Sequence, residues 1–131
     1  MITRLFRPSL FASSAVFFCM AVSSAPHAQD APGKALFLAA CGVCHTVEPG
    51  AAPRQGPNLA GMYGRAAGSL PEFKYSDALK GGGWVWEEAS LDPWLDNPQA
   101  AHPGTTMVYR QRDADKRKLL ISYLKTLAKA P

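Results

Sequence analysis

Five residues, Cys41-Gly42-Val43-Cys44-His45, constrain what this chain can fold into more than anything else in it. Two thiols three positions apart share one helical turn. Each can add across a vinyl group of the same porphyrin, and the adjacent imidazole can then reach the iron, so the box reads as a c-type haem attachment site. A chain built this way must wrap a flat apolar group that cannot leave. The same spacing also serves zinc sites, disulfide oxidoreductases and plain disulfides, so the remaining residues have to discriminate.

The amino terminus changes the cysteine arithmetic. Arg4 and Arg7 make a short basic start, Pro8 to Val22 is apolar and small, and Ser23, Ser24 and Ala25 lead to Ala28 before the first acid, Asp30. That order predicts a cleavable secretory signal over residues 1–28, with 29–131 as the mature domain. The rival is an uncleaved anchor, but an apolar run of about 15 residues, broken by serines, is short against the roughly 20 a spanning helix needs. Cys19 follows the bulky Phe18, unlike a lipoprotein cysteine, and would leave with the signal. Only Cys41 and Cys44 then remain of three cysteines, with His45 and His102 as the mature histidines. That set is too small for a thiolate zinc site, and no strand–helix–strand pattern surrounds the box, which argues against a thioredoxin-like enzyme. One covalent haem through Cys41 and Cys44 remains.

Charge excludes another class. Removing Arg4 and Arg7 from 14 basic residues leaves 12 against 10 acids, or +2, and two haem propionates would bring the whole near neutral. No basic run interleaved with aromatics suggests nucleic-acid binding. The cluster Arg110, Arg112, Lys116, Arg117 and Lys118 is diluted by Asp113 and Asp115. It reads as a solvated loop and helix start, with a patch for an acidic partner as the alternative.

The mature chain reads as all-α, three to five helices joined by long loops. A helix opening at Ala31-Pro32-Gly33 carries Leu36, Phe37 and Ala40 and ends at the box. Residues 46–64 are rich in Pro and Gly and should be irregular. A short helix is predicted from Tyr75 to Lys80, broken by Gly81-Gly82-Gly83, and another from Ser90 to Leu95, with Ser90 as its cap and Pro98 forcing its end. Asp115 is the expected cap of a final helix, Lys116 to Ala128, whose Leu119, Leu120, Tyr123, Leu124 and Leu127 form an apolar stripe. About 30 loop residues after the box would be suspicious in a compact domain. A haem at the centre resolves this, because loops can bury side chains against it.

Iron held by His45 has a second face. Met107 follows the rigid turn Pro103-Gly104-Thr105-Thr106, whereas Met62, between Gly61 and Tyr63, reads as core filler. His102 and an open site are the other candidates. Met107 is the expected second ligand, and thioether ligation raises the potential while leaving no vacant position. Closed ligation points to electron transfer rather than catalysis.

The ordered motifs Cys41–His45, Gly56-Pro57-Asn58-Leu59, Gly64-Arg65, Phe73-Lys74-Tyr75, Trp86, Asn97-Pro98, Pro103–Met107 and Leu120-Ile121-Ser122-Tyr123-Leu124 together resemble a class I cytochrome c, across residues 31–128. The resemblance implies a set of roles. Pro57 offers its carbonyl to the His45 ring, and Arg65, Tyr75 and Trp86 serve the haem propionates. Asn58 and Thr105 hold the loops beside the propionates and the methionine. Gly33 and Phe37 lie where the first helix crosses the last, at Leu120 and Tyr123. Departures from the mitochondrial pattern are Leu79 for an asparagine, Trp94 for a tyrosine near the methionine, and Tyr109 for a phenylalanine at the haem edge. Ala40, Val43, Gln99, Ala100 and Thr106 replace lysines that ring that edge.

The expectation is a periplasmic monohaem carrier in a Gram-negative bacterium. It would pass single electrons between membrane or soluble redox proteins, with no stable membrane insertion once the signal is cut. The alternatives are a permanently bound subunit of a periplasmic dehydrogenase, or, with Met107 weakly bound, a haem peroxidase or gas sensor.

Overall fold

A computed structural model describes residues 30–129; the signal expected over 1–28, Cys19 included, lies outside them. The helices are α1 Asp30–Ala40, α2 Glu88–Asp96, α3 Pro98–Ala101 and α4 Ala114–Thr126, the last running into a 3-10 turn, Leu127–Lys129. Among the described residues there is no strand, only an isolated antiparallel bridge between Ala66 and Val85. The all-α expectation holds.

The frame is the crossing of α1 and α4. Phe37 and Leu120 are each 1 % exposed, and the Phe37 ring lies 5.4 Å from that of Tyr123, tilted by 52°. The crossing is close because Gly33 has no side chain: a Cβ there would overlap the Leu119 carbonyl oxygen and lie 2.8 Å from Tyr123 Cβ. α2 joins through Leu91, Trp94 and Leu95, which recur at helical spacing and are all buried. Arg117, with a side chain only 12 % exposed, ties α4 to α2. It donates to Asp92 at 2.7 Å and Asp96 at 3.2 Å, and to the Gln111 and Arg112 carbonyls at 3.0 Å.

Several local expectations are corrected. The helix expected over Tyr75–Lys80 is a single turn, with the Leu79 and Lys80 amides both donating to the Ser76 carbonyl. One turn fixes several dihedrals for few bonds, and Gly81 and Gly83, at φ +65° and +71°, stop it from propagating. Ser90 is not the cap of α2. It stands at the third helical position, where its Oγ accepts from the Glu87 amide at 2.9 Å, and Glu87 is the cap. Asp113 rather than Asp115 caps α4, accepting from the Asp115 and Lys116 amides at 3.0 and 3.1 Å. Pro98 does more than end α2. Asn97 closes α2, and Pro98 opens α3 in the first turn, where its missing N–H costs nothing. Finally, Arg117 belongs to an internal brace, not to a solvated basic cluster.

Candidate haem-binding cleft

The box continues α1 as a tight turn. The Cys41 and Gly42 amides donate to the Phe37 carbonyl at 2.7 and 2.9 Å, and those of Cys44 and His45 to the Cys41 carbonyl at 3.0 and 2.9 Å. Both thiols and the imidazole thus leave one turn and line one cleft, which encloses about 1310 Å³ of atom-free space including its open mouth. Phe37, Leu79, Trp86, Leu91, Trp94 and Leu124 supply apolar lining. Burial, then the neighbouring Cys44, push the Cys41 thiol up to about 11, so that edge is uncharged too.

The irregular segment after the box positions the histidine. The Gly56 amide donates to the Cys44 carbonyl and the Leu59 amide to the Thr46 carbonyl, each at 2.8 Å. This lays Gly56-Pro57 against the His45 ring, whose Nδ1 donates to the Pro57 carbonyl at 2.8 Å. Gly56 is obligatory for that approach, since a Cβ there would stand 2.6 Å from Nδ1 and 2.8 Å from Nε2. Burial lowers the His45 pKa and outweighs the raising effect of the Pro57 bond. The ring is therefore neutral, with Nδ1 protonated and a lone pair on Nε2 for a metal.

Asn58, 5 % exposed, pins the same loop internally. Its Nδ2 donates to the Glu48 and Ala51 carbonyls at 2.8 Å, and its Oδ1 accepts from the Ala60 amide at 2.7 Å. Arg65 donates to the Ala60 carbonyl at 2.9 Å and the Asn58 carbonyl at 3.2 Å, and it lines the cleft together with Tyr75 and Trp86. Arg65 is the one residue with a permanent positive charge among the lining residues. Beside this group stands Ser76, whose buried Oγ has no hydrogen-bond partner among the described residues. A buried hydroxyl left unpaired is costly, and a carboxylate entering the cleft would satisfy it. The donor set therefore fits a propionate-bearing, flat apolar group. Sequence reasoning missed Ser76, since a serine before Asp77 reads as an ordinary turn residue; its neighbour Tyr75 was the available signal.

The methionine segment completes the lining. Thr105 is buried; its amide donates to the His102 carbonyl at 3.2 Å and its Oγ1 accepts from the Met107 amide at 3.4 Å. Met107 lines the cleft that His45 lines, whereas His102 does not. The His102 ring is spent on Trp84, stacked at 3.8 Å and 3°. Met62 is 4 % exposed and sits in the core cluster, though it too reaches the lining. Leu79 and Trp94 both line the cleft, so these two of the departures from the mitochondrial pattern add to its apolar wall. Tyr109 also lines it, and its hydroxyl accepts from Gln111 Nε2 at 3.0 Å. Val43 and Val108, neighbours of the box and of Met107 in sequence, are 70 % and 79 % exposed.

Comparison with known proteins agrees with this geometry. The family model described as "Cytochrome c" matches residues 31–128. A "Cytochrome c" of Theileria annulata is 43 % identical over 102 residues, which is 76 % of this chain and 87 % of that protein. A "Cytochrome c2" of Blastochloris viridis is 40 % identical over 110 residues, 82 % of this chain and 87 % of the relative. A "Cytochrome c2" of Rhodomicrobium vannielii is 45 % identical over 87 residues, 66 % and 70 % of the two chains.

Proposed function

This chain belongs to the cytochrome c family and carries one haem c on Cys41 and Cys44; from that premise we propose that it is a periplasmic shuttle whose iron is held by His45 and Met107. The protein is a monohaem electron carrier, not an enzyme. When bound, the haem takes up and releases one electron at its iron. What the chain does is keep that exchange free of rearrangement. Pro57 fixes the orientation and tautomer of the His45 ring. Thr105 and Met107 are held by the same turn, and Arg65, Tyr75, Trp86 and Ser76 receive the propionates. Trp94 and Leu79 keep water from the iron's surroundings.

The observation that carries this reading is the placement of the second-ligand candidates. Met107 lines the cleft, and His102 is stacked on Trp84 outside its lining. The signal-like residues 1–28 support export to the periplasm. The uncharged rim supports docking to redox proteins by short-range apolar contact. The exposed Val43 and Val108 also favour a second reading, a subunit held by one dehydrogenase; co-purification and gel filtration separate the two.

The test is the visible spectrum of protein matured with a periplasmic haem-attachment system. Expected are a low-spin reduced spectrum, no carbon monoxide binding at neutral pH, and an oxidised methionine–iron charge-transfer band that Met107→Ala abolishes. A high-spin spectrum or ready carbon monoxide binding would overturn the ligation and bring the sensor or peroxidase reading forward.

A further inference from the structure

We propose that Gln99 is a positioning residue for Met107: its amide clasps the methionine loop to α3 and sets how readily Met107 leaves the iron. The proposal rests on Met107 being the second iron ligand. Gln99 is the second residue of α3, next to Pro98, which is under 2 % exposed and anchors the short helix in the core. Gln99 is itself exposed, yet its Nε2 lies 2.6 Å from the Thr105 carbonyl and 3.3 Å from the Met107 carbonyl. A primary amide carries two N–H groups, one for each of these alternate carbonyls.

The rest of the loop is loosely held. The Thr105 amide bond to His102 is 3.2 Å and the Met107 amide bond to Thr105 Oγ1 is 3.4 Å, both long. Among the described residues, the 2.6 Å bond from Gln99 is the shortest made by any of residues 103–110, and the next backbone tie is Gln111 to Leu95 at 2.7 Å. At the other end of α3, the His102 ring packs on Trp84. α3 is thus anchored at both ends, and Gln99 ties it to the Thr105 and Met107 carbonyls of the loop. A thioether is a neutral, weak ligand, so an incoming ligand competes with loop opening, and its apparent affinity scales with the open fraction. Loss of a net hydrogen bond from the closed loop raises that fraction by about three- to tenfold. This also explains why an uncharged, bifurcating amide serves here: a carboxylate of the same shape would face two carbonyls with no donor.

The experiment is a titration of the ferric holoprotein with imidazole, followed by loss of the methionine–iron charge-transfer band. Gln99→Ala and Gln99→Glu should each show the band at rest, yet bind imidazole about three- to tenfold more tightly than the parent. A variant that merely weakened the fold would lower the guanidinium midpoint without that matched gain in Gln99→Glu. Parent-like imidazole affinity in either variant overturns the clasp. Met107→Ala tests the premise separately. Loss of the band there, with parent-like Gln99 variants, removes the clasp and leaves the ligation standing. If Met107→Ala keeps the band, ligation by Met107 fails and the clasp falls with it.

Discussion

Gly56 makes the place of His45, the proposed iron ligand, a matter of one missing methyl. The His45 Nδ1–H donates to the Pro57 carbonyl at 2.8 Å, and Gly56 leaves the space beside the ring open. Gly56→Ala puts a methyl where the imidazole stands, and the ring must turn. A ring that loses its Nδ1 hydrogen bond is a less basic ligand and stabilises ferric iron less. The expected result is a reduction potential raised on the order of 20–60 mV, about one weakened hydrogen bond's worth for a one-electron couple. Voltammetry of the variant checks it; an unchanged potential with an unchanged spectrum would show that the ring does not depend on that loop. At the same scale, Ser76 and Trp84 Nε1 differ. Both are buried without partners among the described residues, but Ser76 lines the cleft and finds its explanation there, while nothing in the structure explains the Trp84 N–H.

Helices α1 and α4 are held by the contact at Gly33 and by the cap at Asp113. Alanine is the better helix former by about 1 kcal/mol, so on propensity alone Gly33→Ala would stabilise α1. The packing decides otherwise, because the obstructing atom is the backbone carbonyl of Leu119, which cannot swing aside. Overpacking of this kind costs about 1–3 kcal/mol. Gly33→Ala should therefore lower the guanidinium midpoint while leaving the visible spectrum intact. The cap carries a pH dependence. Bonds from the Lys116 and Asp115 amides, with the charges of Lys116 and Arg117, hold the Asp113 pKa below its ordinary 3.8. A group with a depressed folded pKa stabilises above its unfolded value and loses that contribution as pH falls through the folded one. Acid unfolding below about pH 4 should thus be partly due to Asp113. Asp113→Asn keeps a side-chain acceptor and should flatten the stability curve there, whereas Asp113→Ala should lower stability at neutral pH as well. Identical acid limbs in parent and Asn variant would exclude this contribution.

As a whole, the molecule has a core that is complete only around its cofactor. Phe37, Leu91, Trp94, Leu120 and Leu124 pack on one another and also line the cleft. The Cys41→Ser, Cys44→Ser chain, which cannot attach haem, is expected to lose cooperative unfolding, read by circular dichroism. The surface argues at this scale too. Gln99, Ala100, Thr106, Ala40 and Val43 carry no charge where the mitochondrial pattern has lysines, and the amide of Gln99 is engaged with two carbonyls. Without a charged ring there is little long-range steering. Electron exchange with a purified redox partner should vary weakly with ionic strength, and a steep fall of the rate with salt would contradict an apolar docking face.

The sequence by itself determined the cofactor chemistry. Cys41, Cys44 and His45 sit within one turn, a local pattern that needs no knowledge of distant residues; the crossing at Gly33 was implied by the family resemblance, and the fold supplied its contacts with Leu119 and Tyr123. The loops were legible only as loops. Which backbone groups they satisfy depends on pairs far apart along the chain: Asn58 with Glu48, Arg117 with Asp92, Gln99 with Met107. Helix boundaries went astray for the same reason: Asp113 and Asp115 are equally good caps by residue type, and the turn that the chain enters from Gln111 selects between them. Ser76 and Gln99 were illegible because a small polar residue carries no signal until the fold shows what it faces. Local chemistry is written in residue types at short spacing, whereas the tertiary structure alone decides which polar groups meet across the folded chain.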